Sequence, residues 1–310
     1  GKGRDGLAMN DTIITFAGRT FTHQDIELIQ WARKTYPSLS KKELAATVCE
    51  FLNWTTPGGS PKIPQCQLLL QKLAAQGMIQ LPPLQRSAKK KAFTPQQDIK
   101  WDTSPLEGES PDFEPLCLEI TRPGEPSFSR WKAYIDQYHM LGYKMVFGSR
   151  LHYFLKSGDR ELGGLQFSAS AWALEPRDKW IGWSIQDKKE RLHLILNNSR
   201  FLIFPWVHIH NLASRALSLV VKQIQNDWLK WYGYAPVLLE TFVDLEHFTG
   251  TCYRAANWLY LGKTKGRGRM DRNKEYLLSP KAIYVYPLER NFRAYLRGER
   301  AYRVIDPDER

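Results

Sequence analysis

Glu240 lies inside an apolar run, Val237 to Val243, whose length and Val/Leu/Phe content read as a buried strand. A carboxylate in that setting is either paired or carries a raised pKa. It is therefore a general base or metal ligand, or else half of a structural ion pair with Arg254 or Arg177. After a turn at Gly250, Cys252-Tyr253-Arg254 opens a short helix. A thiolate or phenolate there would be favoured by the helix dipole and by Arg254. Tyr253 is thus a candidate nucleophile on a DNA phosphate held by Arg254, Arg267 and Arg269, its alternative being packing and hydrogen bonding. Cys252 is a candidate nucleophile without an evident oriented His. Asp178, Glu240, Asp244 and Glu246 could gather around Mg²⁺ for phosphodiester cleavage. His208-x-His210, on one face of a strand end, could ligate a metal with His193 or His247, although no spacing here matches a zinc pattern.

A basic loop closes this region. Lys263, Lys265, Arg267, Arg269, Arg272 and Lys274 fall close together, with Gly262, Gly266 and Gly268 between them. Glycines let a backbone approach phosphate closely, so Lys263, Lys265, Arg267, Arg269 and Arg272 are expected DNA contacts. The whole chain agrees in charge: 310 residues carry a formal net charge of +12, which favours a polyanionic partner. Hydrophobic residues make up 43% of the chain, enough for a sizeable core. Cys49, Cys66, Cys117 and Cys252 form no C-x-x-C and read as reduced thiols of a cytoplasmic protein. No apolar run is long enough to span a membrane. The opening Gly-Lys-Gly-Arg-Asp-Gly, without Met or an apolar stretch, is expected to be a trimmed start or tag remnant and not a secretory signal.

These residues need elements to position them. Residues 1–85 read as three short helices, the first capped by Thr22, the second opened by a Ser40-x-x-Glu43 capping box, the third following Pro64. With a strand at Met78–Leu81, this is a helix-turn-helix or winged-helix module, or a small three-helix protein-binding module. The third helix would present Lys62, Gln65, Gln67, Gln71 and Lys72 to DNA, Gln to adenine edges and Lys to phosphate. Residues 86–115, basic and then Pro-rich and acidic, read as a linker. From 116 to 290 the pattern is strand, helix, hairpin, a long apolar strand Phe201–Ile209, a long helix Leu212–Tyr232 capped by Asn211, strand, short helix, strand and a final Tyr-rich strand. The fold class is α+β, a mixed and mostly antiparallel sheet with packed helices. Residues 291–310 form an Arg-rich tail, expected to be surface-bound or flexible.

Residues 138–288 resemble the family of the Druantia anti-phage defence protein DruA, whose domain also occurs in mobile-element proteins. The resemblance rests on Tyr138-His139-x-Leu141-Gly142, Leu162-Gly163, Phe167-Ser168, Arg177-Asp178-x-Trp180-Ile181-Gly182-Trp183, Asn197-Asn198-x-Arg200-Phe201, Pro205-Trp206-Val207, Leu239-Glu240-Thr241-Phe242, Gly250 through Trp258, and Gly266-Arg267-Gly268-Arg269. It covers about half of the chain and implies DNA as partner, with other defence-system proteins beside it. It fixes no chemistry and leaves any cofactor open. A looser resemblance, in the order of elements, is to the GNAT acyltransferase fold. The loop before the long helix, His210-Asn211-Leu212-Ala213-Ser214, lacks the glycines with which backbone amides reach a coenzyme A pyrophosphate. The expected function is DNA binding, with DNA strand cleavage through Glu240 and Tyr253, and acyl transfer, as alternatives.

Overall fold

The computed structural model describes residues 12–57, 60–83, 100–146, 148–264 and 280–309. The chain divides into two units, Gly1–Lys89 and Lys90–Arg310.

The first unit opens with an antiparallel hairpin, β1 (Thr12–Phe16) and β2 (Arg19–Thr22). Three helices follow: α1 (His23–Thr35), α2 (Lys41–Phe51) and α3 (Ile63–Ala75). Reciprocal capping boxes start the first two. Thr22 Oγ1 accepts from Asp25 N at 3.2 Å while Asp25 Oδ2 accepts from Thr22 N at 3.0 Å, and Ser40 with Glu43 repeats the exchange. Ile29, Leu44, Val48, Leu69, Leu70 and Leu73 form the core between them. The strand expected at Met78–Leu81 does not form. Gln30 Nε2 donates to Met78 O at 2.9 Å and Arg33 Nε to Gln80 O at 2.8 Å, so side chains of α1 take the carbonyls that a partner strand would use. The hairpin of this unit precedes its helices instead of following α3 as a wing.

The second unit is built on a seven-stranded sheet of order β10-β11-β9-β7-β6-β5-β4. The elements run β3 (Leu106–Glu109), β4 (Leu116–Thr121), α4 (Pro126–Tyr138), β5 (Leu151–Ser157), β6 (Arg160–Ala169), α5 (Glu175–Ile181), α6 (Ile185–Arg191) and β7 (Ile195–Ile203), then β8 (Val207–His210), α7 (Leu212–Tyr232), β9 (Leu238–Asp244), α8 (Thr251–Ala255), β10 (Leu259–Lys263), β11 (Lys281–Pro287) and α9 (Phe292–Leu296). Every neighbouring pair in the sheet is antiparallel except β7 with β9. Those two are parallel because the long helix α7 carries the chain back between them, the crossover that a parallel pair requires. They pair only over Ile195–Asn197 and Leu238–Glu240. Leu217, Val220, Ile224 and Trp228 of α7 and Trp131 and Ile135 of α4 pack in the main core. Ile181, Leu194, Val285, Phe292 and Leu296 form a second cluster.

Four sequence expectations change here. The apolar run Phe201–Ile209 is two strands, because Pro205 has no N–H to give and Val207 N turns back to Phe204 O at 2.9 Å; β8 then pairs with β3 in a separate parallel sheet. Residues 100–115, expected to be linker, belong to the second unit: Trp101 lies 4.4 Å from Tyr134 between ring centroids and donates to Tyr138 Oη. The tail is anchored through α9, where Phe292 and Leu296 are buried. Asn211 begins α7 with a left-handed φ of 60° and makes no side-chain cap.

Candidate functional site

Glu240 and Arg177 both have 0% exposure and meet at the sheet. Glu240 is on β9, and Arg177 reaches it from α5, with Arg177 Nη1 donating to Glu240 Oε2 at 2.8 Å. The other carboxylate oxygen accepts from Ala171 N at 3.0 Å. Every N–H of the guanidinium is used: Nη1 also donates to Ala171 O, Nη2 to Trp172 O and Asp178 Oδ1, and Nε to Asp178 Oδ1. Asp178 goes on to accept from Trp183 Nε1 at 3.0 Å and from Lys188 Nζ at 2.9 Å. Burial pushes the Glu240 carboxyl up, opposed by Arg177 and by the Ala171 N–H. Burial also works against the Arg177 charge, but Glu240 and Asp178 overcome it and raise that pKa. The network ties strand, loop and two helices together, and both oxygens of each carboxylate accept from protein donors. Of the two partners that the sequence offered Glu240, the structure selects Arg177.

Arg254 is exposed and donates to Thr249 O at 3.0 Å, away from Glu240. Tyr253 is buried beyond the point where β7 and β9 part. Its hydroxyl donates to Asn198 Oδ1 at 2.7 Å, beside Thr241 Oγ1 at 3.5 Å. Asn198 is in turn held through its amide by Gln166 O and Arg200 O, both at 3.0 Å. Burial drives the Tyr253 phenol well above its ordinary range, and pushes the Cys252 thiol up to about 11. The thiolate and phenolate expected here are thus replaced by protonated, inward-packed groups. The single turn of α8 is too short a dipole to offset that burial.

The remaining candidates are dispersed. Asp244, the last residue of β9, lies with Glu246 and His247 of the following turn, their ligand atoms within 4.8 Å of one another, while Asp178 and Glu240 are committed to Arg177; the Mg²⁺ set is not assembled. His210 Nδ1 faces Glu109 Oε2 at 3.0 Å, and His193 is held against Tyr234 and Tyr302. Neither joins His208 in a metal-binding group among the described residues. Gln65, Gln71 and Lys72 are exposed on α3, with Lys62 and Gln67 partly so. Lys263 is exposed at the end of β10; Lys265, Arg267, Arg269 and Arg272 lie outside the described residues. Sequence reasoning missed Asn198 and Arg200. Their signal was an Asn-Asn pair and an arginine inside an otherwise apolar strand, residue types that strands usually exclude.

The family model for the Druantia protein DruA matches residues 72–277. The chain belongs to the DruA family. The match takes in the Arg177–Glu240 network, the Asn198–Tyr253 pair and α8, and ties the protein to defence. No curated protein matches. Solved structures similar to this DruA-family chain include FeeM, an N-acyl amino acid synthase from uncultured soil microbes, at 13% identity and TM-score 0.33, covering 56% of this chain and 91% of that one. Aminoglycoside acetyltransferase AAC(6')-Ib, in complex with coenzyme A and kanamycin, matches at 11% identity and TM-score 0.36, covering 60% and 99%. A Bacillus subtilis acetyltransferase in complex with CoA matches at 7% identity and TM-score 0.33, covering 56% and 99%. At these TM-scores the likeness carries no conclusion about activity. No helix among the described residues is long and apolar enough to cross a membrane.

Proposed function

We propose that this DruA-family protein binds DNA, in an anti-phage defence system or a mobile element, and does not cut it. The observation that carries the reading is the polar face of α3. Gln65, Gln71 and Lys72 stand exposed there, and no acidic residue occurs from Pro61 to Gln80. Such a face can place Gln on adenine edges and Lys on phosphates, within a chain whose net charge is +12. Lys263 leads into the second proposed contact, the Gly/Lys/Arg stretch with Lys265, Arg267, Arg269 and Arg272. The protein would act in the cytoplasm beside other defence-system proteins. Binding is favoured over strand cleavage because Glu240 and Tyr253, the residues that cleavage needs, are satisfied by Arg177 and Asn198.

The test combines retention on duplex DNA with a plasmid assay. DNA is expected to be held at about 50 mM salt and released as salt rises, since each neutralised phosphate adds about 0.9 to the slope of log K against log salt. Supercoiled plasmid is expected to stay intact with Mg²⁺ present. Nicking that disappears in both Glu240→Gln and Tyr253→Phe would replace this reading with the cleavage reading.

A further inference from the structure

Arg200 has no acid. Arg130, Arg177 and Arg191 of the same unit each meet an acid, Glu161, Glu240 and Asp187 in turn. Arg200, half-buried on β7, donates only to carbonyls, from Nε to Gly142 O at 2.9 Å and from Nη1 to Ser199 O at 2.6 Å. Its Nη2 has no partner among the described residues. Burial, with nothing to offset it, lowers the guanidinium's pKa. Arg200 Nη2 is not a buried unpaired atom, so it stays open to solvent and to an anion.

Its neighbours across the sheet are uncharged polar side chains. Thr121, His152, Gln166 and Arg200 are successive cross-strand neighbours on β4, β5, β6 and β7. A bulge leaves Ser199 as the extra residue opposite Gln166 and Phe167, and bulges of this kind re-aim side chains beside sites. The bulged Ser199 Oγ accepts from Gln166 Nε2 at 2.8 Å and from Ser168 Oγ at 3.0 Å. His139 is neutral, held down to about 4 by burial and by the Arg200 charge. His152 is held down to about 4 by burial and by Arg150. Arg150 likewise donates only to carbonyls, Val146 O at 2.9 Å and Gly148 O at 3.4 Å. The nearby acid of α4, Asp136, accepts from Tyr143 N at 3.2 Å and pairs with neither arginine. Between the two arginines runs the segment from His139 to Val146, which exposes Met140, Leu141 and Met145 at 45%, 56% and 52%. Lys132 Nζ lies 4.9 Å from the Tyr143 ring centroid beside it.

We propose that Arg200, with Arg150 and Lys132, forms a phosphate-binding site on this segment, taking a phosphate of a nucleic-acid strand or of a free nucleotide. Arg is suited to oxyanions because its planar fork donates in parallel. The exposed Met140, Leu141 and Met145 beside it give unpaired bases an apolar surface, which favours a single strand over a duplex. The site rests on, and deepens, the nucleic-acid reading above.

The test measures anisotropy of a labelled oligodeoxythymidine on the full chain, with ATP as competitor. Arg200→Met removes the charge; because Arg200 also anchors Gly142 and Ser199, His139→Asp is the second variant. An Asp there keeps an acceptor for Leu141 N, now bound by His139 Nδ1 at 3.1 Å, and sets a carboxylate beside Arg200. Both variants, checked for wild-type melting, are expected to bind about tenfold or more weakly. Displacement by ATP would assign the site to a free nucleotide, and persistence against ATP to the strand. Wild-type affinity in both variants overturns the site while leaving duplex binding through α3 standing. ATP binding that depends on Arg200, with neither oligodeoxythymidine nor duplex bound, keeps the site and removes the DNA reading. Binding of neither probe overturns the site, while the DNA reading is decided separately by retention on duplex.

Discussion

Replacing Glu240 by Ala tests whether the buried carboxylate is structural. The change removes the 2.8 Å contact to Arg177 Nη1 and the 3.0 Å acceptor for Ala171 N, while Arg177 stays fully buried. Removing one partner of a buried ion pair costs about 3–5 kcal/mol, because the remaining charge has no water to return to. Asp178 still touches Arg177 at 3.0 Å and holds the loss toward the lower end of that range. For a unit of this size the loss lowers the thermal midpoint by roughly 6–20 °C. Tryptophan fluorescence during heating and urea unfolding reads this directly, and an unchanged urea slope would confirm that stability alone has moved. Glu240→Gln, which keeps the shape and an acceptor for Ala171 N, is expected to lose less. Glu240→Leu combined with Arg177→Met is expected to be more stable than either single change, since an apolar pair of similar volume replaces buried charges at little cost. Glu240→Ala melting like wild type would refute the structural account.

Further predictions can be checked in parallel. A Cβ at Gly164 would lie 2.8 Å from Trp131 Nε1, the indole nitrogen that donates to Tyr153 O; Gly164→Ala is expected to destabilise by roughly 1–3 kcal/mol in a urea titration. His152 titrates near 4 when folded, below its ordinary 6.5. The unfolded chain therefore binds the extra proton first, and stability is full above pH 6.5 and falls as pH drops from about 6.5 to about 4. His152→Gln should flatten that part of a stability–pH curve; an unchanged slope would mean that other groups cause it. A calorimetric titration with acetyl coenzyme A is expected to be flat, and a saturable heat would revive acyl transfer.

What the sequence showed, it showed through local chemistry. The capping boxes at Thr22 and Ser40 were legible because their partners lie three residues away. Helix α7 was legible from end to end because its apolar stripe is long and Gly233 stops it with a φ of 83°. Glu240 was legible as a buried charge, yet its partner stayed open between Arg177 and Arg254, since nothing local decides which of two distant arginines reaches it. The Asn198–Tyr253 bond is 55 residues long in sequence and depends on β7 and β9 parting, a tertiary event. Arg200 hid for the same reason: which acids come near it is decided by the fold and not by its sequence neighbours. The segment at Met78–Leu81 misled because its short apolar run suits a strand, while its carbonyls are taken by Gln30 and Arg33 of α1.

The central claim is that this DruA-family protein contacts DNA phosphates through α3 and the Gly/Lys/Arg stretch. Its most direct test is the anisotropy of a labelled duplex against salt, for wild type and for Lys62→Ala with Lys72→Ala, and separately for Arg267→Ala with Arg269→Ala. The claim predicts binding at low salt, and a slope of log K against log salt that falls by about 0.9 for each phosphate contact removed. No binding by the wild type at about 50 mM salt, or the same slope in all three proteins, would contradict it.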